Sequence, residues 1–198
     1  MNFISIRVLL GTIFICLAQV GSAAANEVLV DESIQVPILF KVLTYDRTLM
    51  SEENQTLRIA VVYQEGHEAS EENRRALSET LDEHRKKTIG GYTFDFVEFD
   101  YETAENLESS LEDLSIAVLY VAAGNDTNLV AIQQVTRKLG VLSLTGTTGY
   151  AERGVSIGLE LEDERPRIHV NLDALREEGH DLKSKVLRLC TVYREAAR

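Results

Sequence analysis

Apolar and polar positions alternate along this chain with two different periods, and the order of those periods predicts the fold. Ile34, Ile38, Val42, Tyr45 and Leu49 recur at spacings of four, four, three and four, which is one face of a helix, and Leu39 and Leu43 widen it. Pro37 suits a first helical position, so the helix is expected to begin there, after a polar, loose segment 26–33. Residues 51–56 are a polar connection. Leu57 to Tyr63 is then a nearly continuous apolar run, the mark of a strand buried on both faces. Ser70 to Lys87 reads as a surface helix with a thin stripe of Ala69, Ala76, Leu77 and Leu81, an acidic first turn and a basic last turn, ended by Gly90-Gly91. Tyr92, Phe94 and Phe96 alternate with Thr93, Asp95 and Val97 as a half-buried strand.

A short helix over 104–111 leads to a second buried run, Ser115 to Val121. After the Gly124-Asn125-Asp126 turn, Leu129, Ile132, Val135 and Leu139 form a helical stripe that Asp126 could cap and Gly140 stops. Val141 to Leu144 is the third buried run. The last third changes character. Val155, Ile157, Leu159 and Leu161 alternate strictly, as do Ile168, Val170 and Leu172, so the pair reads as an antiparallel hairpin around Glu162–Pro166. Asn171 or Asp173 could cap a short helix ending at Gly179, and a final helix would carry Leu182, Val186, Leu189, Cys190 and Tyr193 on one stripe. Buried strands alternating with helices predict an α/β, Rossmann-like three-layer sandwich: one domain, 26–198, with a mostly parallel sheet and the closing hairpin as antiparallel edge strands. There is no internal repeat and no low-complexity segment.

The chain opens on a different kind of segment. Arg7 is the only charge before residue 27, an apolar stretch runs from Val8 to Ala18, and Ala23 and Ala25 form an A-x-A site. Residues 1–25 therefore read as a secretory signal peptide cleaved before Asn26, which predicts a periplasmic protein. Bulky Ile15 before Cys16 argues against lipid attachment. Cleavage removes Arg7 and no acidic residue, so the formal net charge of −12 becomes −13. Such a surface repels nucleic acid and anionic lipid. Cys16 leaves with the signal, so Cys190 remains alone; an internal disulfide and a cysteine-type zinc site are both excluded. An odd cysteine in an exported chain also raises pairing into a homodimer.

Candidate chemistry is sparse. His67, His84, His169 and His180 have no zinc-site spacing and read as solvated or capping histidines. Gly154-Val155-Ser156-Ile157-Gly158 spells a nucleophile elbow by letters, but it continues as an alternating strand and does not turn sharply into a helix. No nucleophile–base pair can be assembled, so an enzyme is not expected, and no cofactor motif is present. Leu144 to Tyr150 is a Gly/Thr loop that lacks the lysine of a phosphate-binding loop. Its position is more telling than its letters, because ligands of parallel sheets sit beyond the carboxyl ends of the strands. Glu65, Gly124, Asn125, Thr145 and Gly146 would all lie at that edge and are the candidate ligand-binding residues.

Three segments carry a family resemblance: Val36 to Asp46; Leu144-Thr145-Gly146 with Gly154 to Gly158; and Arg167 to Leu175 with the helix Ser184 to Cys190. In the third, Asn171, Leu172, Ala174, Gly179, Ser184, Leu187 and Leu189 follow the family's pattern. The chain resembles the YfiR family of exported bacterial proteins. The resemblance implies regulation by protein binding in the cell envelope, because the best-understood member holds an inner-membrane diguanylate cyclase inactive through its periplasmic sensor part. The implied partner is a membrane-bound signalling protein. A periplasmic small-ligand sensor or solute-binding domain is the alternative. Better-known members carry disulfide-forming cysteines, and the lone Cys190 departs from that pattern.

Overall fold

The computed structural model describes residues 30–50 and 56–194. The signal peptide and its cleavage site lie outside these residues. In chain order the elements are α1 (Glu32–Leu43), β1 (Thr56–Tyr63), α2 (Glu68–Glu83), β2 (Thr93–Asp100), α3 (Ala104–Asp113), β3 (Val118–Val121), α4 (Leu129–Leu139), β4 (Leu142–Thr145), β5 (Ile157–Glu162), β6 (Arg165–Asn171), α5 (Leu172–Glu177), α6 (Ser184–Leu187) and β7 (Thr191–Tyr193). The strands form one sheet in the order β2-β1-β3-β4-β5-β6-β7. All pairs from β2 to β5 are parallel, β6 is antiparallel to β5, and β7 is parallel to β6. This is the expected α/β sandwich with one antiparallel pair. The hairpin is not the edge, however. β5 extends the parallel sheet through β4, and β7 closes that side.

Two apolar layers flank the sheet. On one face, Val36, Leu39, Val42 and Leu43 of α1, Leu77 and Leu81 of α2, and Leu172, Leu175, Leu182 and Val186 pack on Ile59, Val61, Val118, Leu142, Ile157, Leu159 and Val170. On the other, Leu107 and Leu111 of α3 and Leu129, Ile132 and Val135 of α4 pack on Ala60, Val62, Leu119 and Val121. Strands β1 and β3 are thus apolar on both sides, which is why they read as unbroken runs.

Three helix ends differ from the sequence reading. First, α1 begins five residues before Pro37, because the Asp31 carboxylate accepts the Ser33 N–H at 2.9 Å and caps the first turn. Pro37 sits inside the helix at an exposed position. The helix is apolar nearly all round, so spacing alone could not choose its face. Val36, Leu39, Val42 and Leu43 are buried, whereas Ile34 is 47% exposed. It stops at Leu43 because the buried Asp46 carboxylate takes the N–H groups of Thr48 and Leu49 at 2.7 and 2.9 Å, which turns the chain. Second, α2 ends at Glu83 with no basic residue in its last turn. Arg85 leaves the helix to pair with Asp95 of β2 at 3.0 Å and to lie over the Phe96 ring. Third, the long C-terminal helix does not form. α6 spans four residues, and Thr191, Val192 and Tyr193, β-formers, pair with β6. Leu189 is consequently 71% exposed and Cys190 only half-buried.

Candidate functional site

The strand order places a switch point at the carboxyl edge, where β1 lies between β2 and β3. The candidate residues fall there, in three loops. Glu65 follows β1 and is exposed; its N–H donates to Asp100 Oδ1 at 2.7 Å. Gly124 and Asn125 follow β3. Gly124 has φ +77°, and a Cβ there would lie 2.4 Å from the His67 ring. Asn125 is fully buried; its Nδ2 donates to Ala122 O at 3.0 Å, while its Oδ1 has no hydrogen-bond partner among the described residues. Thr145 ends β4; its hydroxyl donates to Val121 O at 2.9 Å and accepts the Thr147 N–H at 3.0 Å. The Gly146 N–H donates to the Tyr120 hydroxyl at 3.0 Å. A Cβ on Gly146 would lie 2.1 Å from Gln35 Nε2, so glycine is required for the Gln35 carboxamide to lie where it does. The fold brings Gly124, Asn125, Thr145 and Gly146 onto adjacent strand ends and leaves Glu65 on the rim.

Side chains that sequence reasoning missed fill this edge. Glu32 on α1 accepts from Asn73 Nδ2 at 2.7 Å, and Asn73 Oδ1 accepts the Ala123 N–H at 3.1 Å. Desolvation pushes the Glu32 carboxyl up, and the charges of Asp31 and Glu72 add to that shift against its own hydrogen bonds. Burial likewise pushes the Tyr120 phenol well above its ordinary range, so it is a neutral hydroxyl beside Asn73 and Gln35. Asn73 was legible in principle, since it lies four residues before Leu77 on the buried stripe of α2. Gln35 carries the same signal, four residues before Leu39 on the buried stripe of α1, but the sequence reading placed the buried face of that helix elsewhere.

Other polar groups resolve the remaining candidates. His67 caps α2 and His84 ends it, as a capping reading allows. His169 and His180 are instead buried, at 3% and 5% exposure, because each has polar partners inside: Tyr193 for His169, and Asp46 and the Gly140 carbonyl for His180. Asp126 does not cap α4, whose N-cap is Asn128; it accepts from the Tyr150 hydroxyl and pairs with Arg153. The Ser156 hydroxyl is bound to the Glu178 carboxylate. Among the described residues no group of three His, Cys, Asp or Glu side chains stands ready to hold a metal ion.

One face of β5-β6-β7 is polar. Gly158, Glu160 and Glu162 lie opposite His169, Arg167 and Arg165, and Thr191 and Tyr193 continue the same side. Glu160 and His169 are buried, whereas Glu162, Arg165 and Arg167 are exposed. Desolvation pushes the Glu160 carboxyl up, and the neighbouring His169 opposes that shift. At the amino edge, a cavity of about 390 Å³ opens between α4 and α5, lined among others by Arg137, Arg153, Glu177 and Arg194.

Comparisons with known proteins agree with this architecture. No curated protein matches the chain. A conserved domain protein from Vibrio cholerae is similar in structure, with TM-score 0.58 and 14% identity over 83% of this chain and 60% of that one. The ABC domain in complex with L-Trp from Streptococcus pneumonia gives TM-score 0.56 and 9% identity over 82% of this chain and 62% of that one. A ligand-free, open substrate binding protein with adhesive properties from Clostridium difficile gives TM-score 0.56 and 15% identity over 85% and 61%. The chain thus spans about three fifths of the length of these proteins, and the likeness is one of fold, an α/β sandwich. Residues 33–191, from α1 through the first residue of β7, match the YfiR/HmsC-like family, and the chain belongs to that family.

Proposed function

We propose that this protein is a periplasmic regulator that acts by binding another protein, its partner the periplasmic sensor domain of a membrane diguanylate cyclase or of a similar signalling protein. Family membership supports a regulatory or binding role. One observation carries the choice of a protein over a solute: the crevice at the carboxyl edge is filled by the chain's own side chains, with Gln35 seated against Gly146 and His67 against Gly124. Binding then falls to the outer surface, and the polar face of β5-β6-β7 with exposed Glu162, Arg165 and Arg167 offers directional, charged contacts. The test is surface plasmon resonance between the mature chain and the sensor domain of a cyclase from the same bacterium. Saturable binding is expected, weakened at least tenfold by Arg165→Glu with Arg167→Glu. Absence of binding, together with unchanged cyclic di-GMP in a deletion strain, would overturn the proposal.

A second reading, a small-ligand sensor, draws on the fold shared with a substrate binding protein and on two buried polar atoms at that edge without a hydrogen-bond partner among the described residues, Asn125 Oδ1 and Thr147 Oγ1. Glu65, Gly124, Asn125, Thr145 and Gly146 would then line the ligand. In that case Asn125→Ala would abolish a ligand-induced rise in melting temperature found by screening periplasmic metabolites.

A further inference from the structure

Charge is spread unevenly over this molecule. The chain carries 32 acidic against 20 basic residues. Where the end of α1 meets α6 the balance reverses. Lys41, Lys183, Lys185 and Arg188 are all exposed there. Among the described residues no carboxylate pairs with any of the four. The exposed Asp181 beside them is taken by Arg47, and Asp46 is buried against His180. Tyr45 ties the patch together. Lys41 Nζ lies 5.5 Å and Lys185 Nζ 4.8 Å from its ring centroid, and its carbonyl accepts the Lys183 N–H at 3.0 Å. Two ammonium groups held at one ring repel each other, and an anion that settles between them is attracted by both.

Apolar side chains stand beside these cations. The outer face of α1 carries Ile34 and Ile38, one turn apart, and Lys41 and Tyr45 continue that face to the patch. Ile34 is 47% exposed and Ile38 half-buried. Leu189, next to Arg188, is 71% exposed. We propose that this patch docks the protein onto a lipid bilayer that bears anionic headgroups, with Leu189 and the ridge of α1 entering the acyl boundary and the four cations on lipid phosphates. Aliphatic tips, a tyrosine at their border and long flexible lysines that reach back to the headgroups are the chemistry of a bilayer interface. Three of the four cations are lysines, point charges suited to mobile headgroups, whereas a fixed acidic protein surface is better met by the planar fork of arginine. The net negative charge of the chain does not forbid the contact. Screening limits each charge to about 8 Å at physiological ionic strength, so the carboxylates on the far side turn away from the membrane and orient the molecule. Each cation at such a surface contributes about a fivefold change in affinity. The inference goes beyond the protein-binding reading and does not rest on it, because lipid and this chain alone suffice to test it.

The experiment is sedimentation of the mature chain with vesicles of phosphatidylglycerol and phosphatidylcholine in equal parts, against vesicles of phosphatidylcholine alone. Binding to the first and not to the second is expected, falling steeply with added salt. Lys41→Glu with Lys185→Glu should weaken it about tenfold or more at a nearly unchanged melting temperature, since neither lysine has a carboxylate partner to lose. Leu189→Ser should weaken it severalfold and keep the salt dependence. Arg165→Glu with Arg167→Glu makes the same change in charge on the face of β5-β6-β7 and should weaken vesicle binding far less. No binding to the anionic vesicles, or equal weakening by the two charge reversals, would overturn the proposal. So would loss of sensor-domain binding in the lysine variant without vesicle binding by the wild type, which would make the patch a protein interface.

Discussion

The two halves of the sheet are built from the same strands of alternating side chains, yet they solve the problem of burial differently. In β1 and β3 both sets of side chains are apolar, with Ile59, Val61, Val118 and Tyr120 toward α1 and α2, and Ala60, Val62, Leu119 and Val121 toward α3 and α4. In β5-β6-β7 only the set Ile157, Leu159, Val170 and Val192 is apolar. The other set is Glu160, Glu162, Arg165, Arg167, His169 and Tyr193. The parallel half is therefore a scaffold with no side left for recognition, and the hairpin half keeps one face for polar contacts. What joins the halves is also polar. The Glu178 carboxylate after α5 accepts from Thr136 Oγ1 on α4 at 2.7 Å, from Ser143 N and Oγ on β4 at 2.9 and 2.7 Å, and from the Ser156 hydroxyl leading into β5.

Cutting that joint should give the largest effect. Glu178→Ala leaves the Ser143 and Ser156 hydroxyls and the Ser143 N–H without their acceptor in a buried site, the Thr136 hydroxyl keeping the Gln133 carbonyl at 3.1 Å, and leaves a cavity as well. A loss of about 3 kcal/mol in urea unfolding is expected. The joint is also pH-dependent. Desolvation pushes the Glu178 carboxyl up from its usual 4.5, despite the hydrogen bonds that pull it down. The native state therefore holds the proton more tightly than the unfolded chain, and the Glu178 contribution is largest in acid and shrinks as pH rises through the raised value. The stability gap between the wild type and Glu178→Ala should narrow in that direction. A gap that widens with pH would mean that four donors outweigh burial.

Both halves were largely legible in the sequence, for different reasons. Leu57–Tyr63 and Ser115–Val121 had to be doubly buried because, beyond Arg58 and Ser115 near their starts, they alternate no polar positions with the apolar ones, and the strict alternation of Val155–Leu161 against Ile168–Leu172 required a one-sided hairpin. What failed were the decisions that local pattern cannot make. Thr191–Tyr193 follows a helical spacing of apolar residues, and only the presence of β6 beside it makes it a strand. Glu178 and His180 look like surface residues until Ser143, Asp46 and their neighbours are folded against them. The carboxyl edge was located correctly from strand ends, but its contents come from Gln35 and Asn73, which reach it from helices.

A smaller effect lies in the turn that makes the hairpin half possible. Asp163 and Glu164 connect β5 to β6 with φ +48° and +61°, the two-residue turn whose positions both favour Asn-Gly. Side chains other than glycine, asparagine and aspartate are strained there, so the strain falls mainly on Glu164. Replacing the pair with Asn-Gly should raise stability by about 1 kcal/mol in thermal unfolding, without altering the register Glu162↔Arg165. No gain, or a shifted register in cross-strand NMR contacts, would show that pairing with β7 sets the hairpin and the turn merely follows.

The smallest effect is the one that most directly tests the contrast between the halves. Arg167 points from the free face, and its guanidinium lies 3.8 Å from Glu162 Oε2 with the two side chains 55% and 43% exposed. A pair so open to water contributes little, because screening and the entropy of two long side chains cancel most of the attraction. Arg167→Ala should therefore change stability by no more than about 0.5 kcal/mol. The equivalent truncation in the doubly covered half, Leu119→Ala, removes a side chain with 0% exposure and should cost about 3 kcal/mol. Urea unfolding of the two variants side by side gives the ratio. If Arg167→Ala costs as much as Leu119→Ala, the polar face is packed interior and is not a surface kept for a partner, and the difference between the two halves of the sheet is one of composition alone.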